Sequence, residues 1–203
     1  MKRILFDIET NGLLDELDTI HSLVLIDMDT EEVVSCADQE GYTSIADGMS
    51  YIESAELLAG HNVQGFDLPA LYKLFGFEYH GVIHDTLIMS RLLWSDLKNN
   101  DFIYIKKPQG KDYPRNLIGS HGLKAWGYRI GENKIEYDGG WLDWSEDMQT
   151  YCVGDCRTNL KFYKFIMSKN PNPASVKLEH DFAHVIRKQE AHGFHFDEVK
   201  ANE

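Results

Sequence analysis

The run Ile4-Leu5-Phe6-Asp7-Ile8-Glu9-Thr10 is an apolar stretch that acquires two carboxylates two residues apart. Residues 2–8 read as a central strand, apolar on both faces until the acids begin. Side chains two apart on a strand point the same way, so Asp7 and Glu9 share a face beside a buried strand. Ionised carboxylates there are costly unless a cation compensates them. The same D-x-E spacing occurs at Asp29–Glu31, in a turn, and at Asp38–Glu40, in a polar loop. Only the Asp7–Glu9 copy follows a strand that would be buried, so it is the candidate metal-ligating pair.

The rest of the chain reads as an α/β domain. Thr19–Ile26 and Glu32–Cys36 form an expected hairpin around Asp27-Met28-Asp29-Thr30. A helix over roughly 44–55 and a short strand at Leu57–Gly60 follow. Phe66 to Phe75 reads as a helix stopped by Gly76. A strand near Val82-Ile83 leads into a helix capped by Asp85, with Leu87, Ile88, Leu92 and Leu93 on one face. Residues 98–116 read as a loop, with Lys98, Lys106, Lys107, Lys111 and Arg115 interleaved with Phe102, Tyr104 and Tyr113. Such a segment could track a nucleic-acid backbone with stacking rings, although Asp101 and Asp112 dilute it. Helical periodicity returns at 120–128 and 145–167. Asn170-Pro171-Asn172-Pro173 is a linker signal, and Val176 to His192 an amphipathic helix ending at Gly193. The expected architecture is a mixed sheet of about five strands flanked by helices.

Two further motifs follow the first in order. Asn62-Val63-Gln64-Gly65-Phe66-Asp67 comes after a short apolar strand, as a second metal-facing element would. Asp67 alone reads as a helix N-cap, Asn62 as a turn residue and Phe66 as core. Tyr151 and Asp155 stand at i and i+4 on an expected helix, so they share one face. A histidine five residues before an acid would be the alternative water-orienting group. His80–Asp85 and His192–Asp197 have that spacing, but the first acid looks like a helix cap and the second pair straddles a helix end. Position 150 is Thr, and the tyrosine version prevails. Four acids round two divalent cations is an arrangement that cuts phosphodiester bonds.

The chain's 203 residues carry a net charge of −13, which argues against a nucleic-acid coat or a membrane-surface protein. It leaves a nuclease open, because metal ions bring their own positive charge. Cys36, Cys152 and Cys156 form no C-x-x-C pair and read as reduced thiols of a cytosolic compartment. Trp94, Trp126, Trp141 and Trp144 read as packing residues. No signal peptide or apolar run long enough for a bilayer is visible.

Asp7-x-Glu9, Asn62-x-x-x-Phe66-Asp67 and Tyr151-x-x-x-Asp155 resemble the three exonuclease motifs of the DEDDy family, the proofreading domains of DNA polymerases. The segments 83–92 and 119–132 resemble those of the T-seven-type podophage replicative polymerases of family A. The stretches 179–190 and 193–197 resemble the point where those enzymes pass into the polymerase module. Phe66 stands where the family commonly has Tyr.

This resemblance implies an RNase H-like fold and a 3′→5′ exonuclease acting on single-stranded DNA ends with two Mg²⁺ or Mn²⁺ ions. Asp7 would bridge the ions, Glu9 and Asp155 would hold the one that activates water, and Asp67 would serve the other. Tyr151 would orient the water, since a phenol pKa near ~10 is too high for a neutral-pH base. Thr10 and Leu13 match positions that touch the terminal nucleotide, and Asn62, Phe66, Lys106 and Lys107 are further DNA-contact candidates. The implied division is 1–172 as exonuclease and 173–203 as the start of a polymerase module. The implied partners are single-stranded DNA 3′ ends and a polymerase module or split-polymerase subunit, in the bacterial host cytoplasm. An RNA-trimming exonuclease and a non-catalytic binding module are the rival readings.

Overall fold

In the computed structural model, which describes residues 2–132 and 137–202, five strands form one mixed sheet. β1 (Arg3–Thr10), β2 (Ile20–Asp27) and β3 (Val33–Cys36) are followed by α1 (Ile45–Glu53), β4 (Leu57–Gly60), α2 (Asp67–Phe75), β5 (Val82–Asp85) and α3 (Thr86–Leu93). The sheet order is β3-β2-β1-β4-β5. β1 pairs antiparallel with β2 and parallel with β4, and β4 runs parallel to β5. β1 is therefore central, as its apolar run implied.

Alternation on β1 divides the core into two layers. Ile4, Phe6 and Ile8 pack with Leu58, Ala70 and Leu71 on one side of the sheet. Leu5 packs on the other with Val24, Cys152, Cys156 and Phe162. The second layer is covered by α5 (Leu123–Ile130) and the long α6 (Glu146–Met167). Ser145 caps α6 by accepting from the Met148 N–H. Gln149, 2% exposed, ties its first turn to the hairpin. Its Oε1 accepts from Ser22 at 2.6 Å, and its Nε2 donates to Ser35 at 2.7 Å. These bonds set the axial position of α6 over β1 and β2.

Two segments differ from the sequence reading. The expected loop at 98–116 contains a helix, α4 (Leu97–Tyr104), and two short 3-10 turns at Pro108–Gly110 and Arg115–Leu117. Asp101 is the reason. It is 1% exposed, takes both a 2.9 Å and a 2.7 Å bond from Arg129, and accepts from the Gly119 N–H. What looked like dilution of a basic surface is a buried bidentate pair. Tyr113 is buried too, its hydroxyl donating to the Leu117 carbonyl, so it is closed to base stacking.

The second difference is where the helix after the linker begins, three residues earlier than the expected Val176. Asn172 accepts from the Ala174 N–H and caps α7 (Pro173–His192), which starts at Pro173. Proline suits a first helical turn because its missing N–H would go unused there. Val176 and His180 on α7 are both buried against the domain. A short α8 (Glu198–Ala201) follows.

Candidate active site

Asp7 and Glu9 lie on one face of β1, opposite Val24 and Ser22 of β2. Asp7 is half-buried and Glu9 is 9% exposed. The pairing with β2 shifts between Glu9 and Thr10, a bulge at the rim of the kind that re-aims a side chain.

Asp67 is the first residue of α2 and is 3% exposed. Its Oδ1 accepts from the Ile8 N–H at 3.2 Å, which places it against the strand between Asp7 and Glu9. The preceding loop is tight: Asn62 has φ 64°, and its carbonyl accepts from Gly65 and Phe66. Asp85 braces that loop. Fully buried, it caps α3 as expected, accepting from Leu87 N–H, and also accepts from Asn62 and Gln64 N–H.

Asp155 comes from the middle of α6 and is 6% exposed. Its charge, with those of Asp67 and Glu9, bears on Asp7. Burial comes first and these neighbours follow in pushing the Asp7 carboxyl well above the usual carboxylate range. Asp67 is pushed up to about 7, chiefly by burial and then by Asp85, against the lowering effect of backbone N–H groups that include Ile8. Acids from β1, α2 and α6, distant in sequence, thus lie near enough for their charges to bear on Asp7.

Tyr151 is half-buried one turn before Asp155, with the rings of Tyr137 and Trp141 centred 5.7 Å and 6.1 Å away. Thr10 is buried, its hydroxyl donating to the Gly12 carbonyl, while Leu13 just beyond is 73% exposed. Phe66 is half-buried against the α1/α2 layer. Lys106 and Lys107 are exposed past α4. Lys107 borders a hollow lined by Trp94, Asp101 and Phe165, none of which belongs to the acid set.

Two positioning features were not singled out in the sequence. Cys152 is fully buried beside the acids: its sulfur donates to the Asp7 carbonyl at 3.6 Å, and one ligand atom each from Asp7, Glu9 and Cys152 lie within 4.8 Å of one another. Asn159, one turn beyond Asp155, accepts from the Thr86 hydroxyl at 2.8 Å, and Thr86 lies 2.9 Å from His61 Nδ1. Together with Gln149 they lock α6 against β1, β2 and α3. The i, i+4 step from Asp155 to Asn159 was the available signal for the second.

A mixed sheet of this order with helices on both faces is the RNase H-like fold. Solved structures agree. Brucella melitensis NrnC with bound Mg²⁺ superposes with a TM-score of 0.57 at 16% identity, over 96% of this chain and 90% of that one. Escherichia coli RNase D, an exoribonuclease, gives 0.56 at 16% identity, over 92% of this chain and 45% of that one. No protein-family model matches. The chain is homologous to the DNA-directed DNA polymerase of Escherichia phage T7, 32% identical over an alignment of 238 positions, gaps included, that covers 96% of this chain. It spans about a third of the length of that relative, 33%.

Proposed function

We propose that this chain is a proofreading-type 3′→5′ exonuclease that removes nucleotides from single-stranded DNA ends. The observation that carries the proposal is the convergence of Asp7, Glu9, Asp67 and Asp155 from three elements, with Asp7 and Asp67 raised by burial and like charge. A pocket of this kind repels itself unless positive charge enters it. Its donor set is dominated by carboxylate oxygen, which suits Mg²⁺ or Mn²⁺. The Cys152 thiol, turned to a backbone carbonyl, is a structural neighbour. Asp7, Glu9, Asp67 and Asp155 would hold two such ions. When bound, the ions supply activated water and neutralise charge on the phosphate.

The remaining work belongs to side chains of this chain. Tyr151, one helical turn from Asp155, orients the attacking water by hydrogen bonding, its ring set by contacts with Tyr137 and Trp141. Leu13 projects from the rim to wedge against the terminal base, and Thr10, Asn62 and Phe66 border the terminal nucleotide. Lys106 and Lys107 touch the strand farther out. Residues 173–203 begin a polymerase module, a reading supported by the exposed Leu178, Phe182, Val185 and Phe194 along that stretch. The partner of that surface is a polymerase module, and the setting is the host cytoplasm. No helix among the described residues is long and apolar enough to cross a membrane.

The test is a time course on a 5′-labelled single-stranded oligonucleotide, with Mg²⁺ and then EDTA. A ladder shortening from the 3′ end, abolished by EDTA, is expected. Shortening from the 5′ end or activity in EDTA would overturn the proposal. Faster cleavage of the matched RNA would overturn the DNA assignment.

A further inference from the structure

Helix α7 carries an arginine whose setting the fold alone does not explain. His180 anchors the helix: its Nε2 accepts from the Asp85 N–H at 2.7 Å, and its Nδ1 donates to the Val176 carbonyl at 2.7 Å. Seven residues on, two turns along the same face, stands Arg187. Its guanidinium lies over the second acid motif. A Cβ on Gly65 would sit 2.4 Å from Arg187 Nη2 and 2.2 Å from Asn62 Oδ1. Both polar groups therefore converge on the space that only glycine leaves open. Consecutive Cα atoms are about 3.8 Å apart, so Gly65 lies within about 7.6 Å of Asp67, Cα to Cα.

The guanidinium has no acid to itself. Arg187 is half-buried, and burial lowers its pKa first, with Asp85 and Glu190 opposing and Arg91 adding to the lowering. Asp85 is committed elsewhere, accepting from the backbone N–H groups of Asn62, Gln64, Leu87 and Ile88. Among the described residues, Arg187 makes no hydrogen bond or ion pair. A partly desolvated cation with uncommitted donors is costly to hold, whereas its planar fork suits a phosphate bidentately.

We propose that Arg187 binds a backbone phosphate of the strand whose end enters the acid pocket, so that α7 completes the substrate cleft. This rests on the nuclease reading for the identity of the ligand as a nucleic-acid strand. It makes the segment after residue 172 part of the exonuclease rather than only a lead into the next module.

Two measurements test it. The first is binding of a fluorescent oligo-dT strand to Asp7→Ala, Asp7→Ala/Arg187→Ala and Asp7→Ala/Arg187→Lys, across a salt series. Losing one phosphate contact should lower the slope of log affinity against log salt by about 0.7. Lysine should restore the slope but not the whole affinity. The second is turnover of Arg187→Ala in the otherwise native chain, where KM should rise about ten-fold with kcat little changed. An unchanged salt slope, or a loss of melting temperature with KM unmoved, would overturn the proposal in favour of a structural arginine. If the native chain does not cleave at all, the nuclease reading fails, and the salt slope still decides whether Arg187 grips the strand.

Discussion

Chelating divalent cations and raising the pH from about 4 to 7 should destabilise the protein through Asp67, and asparagine at that position should cancel the loss. Asp67 is 3% exposed, and its carboxyl is raised from 3.8 to about 7, by burial first. A folded pKa above the unfolded one means the native state holds the extra proton between the two values. Its contribution is therefore complete below about pH 4 and is lost as pH climbs through about 7. A rise from 3.8 to about 7 corresponds to about 4 kcal/mol, or roughly 10 °C in Tm for a chain of this size. His84 runs the other way. Burial, then His180, lowers it from 6.5 to about 4, so its contribution grows as pH rises through that window. The informative quantity is thus the difference between native chain and Asp67→Asn, measured by thermal melting in EDTA at closely spaced pH. The variant should match the native chain near pH 4, gain on it steadily up to about pH 7, and hold a constant advantage above that. Mg²⁺ should recover the native chain at pH 8. A difference that stays flat across the range would refute the reasoning.

Other perturbations probe separate parts of the account. Asp101→Ala breaks a bidentate pair whose acid is 1% exposed; it should cost about 3–5 kcal/mol in urea unfolding by leaving Arg129 uncompensated. Gly60→Ala would push a methyl to 2.0 Å from Val63 Cγ1 and 2.9 Å from the Phe6 carbonyl, for a loss of about 1–3 kcal/mol in the same assay. Tyr151→Phe should lower kcat by about 10²-fold with an unchanged circular dichroism spectrum, because the ring that meets Tyr137 and Trp141 is kept.

Much of this fold was legible wherever a local pattern decides it. The apolar run ending in Asp7 and Glu9, the Asp27 turn and the Asp85 cap are short-range features, and all three appear where expected. Order and orientation were less accessible. That β1 pairs parallel with β4 and antiparallel with β2 depends on packing across the whole sheet. The helix at Leu97–Tyr104 was missed because its anchor, Arg129, is 28 residues from Asp101. In isolation, a charged segment with two aspartates carries no sign that one of them is buried.

The site divides in the same way. The acids announced themselves by spacing and order, since i, i+2 on a strand and i, i+4 on a helix fix a shared face. The groups that position them did not. Gln149 binds Ser22 and Ser35 across more than a hundred residues, and His180 reaches Asp85 over 95. Neither contact leaves a periodic trace. Arg187 belongs with them, since its meaning comes from standing over Gly65.

The claim on which the rest depends is that carboxylates from β1, α2 and α6 jointly hold divalent cations. Electron paramagnetic resonance of Mn²⁺ titrated into the native chain, Asp7→Ala and Asp155→Ala measures that occupancy without reference to turnover. The native chain should take up Mn²⁺, and each variant should lose most of it while keeping its circular dichroism spectrum. Equal uptake by all three proteins would contradict the account.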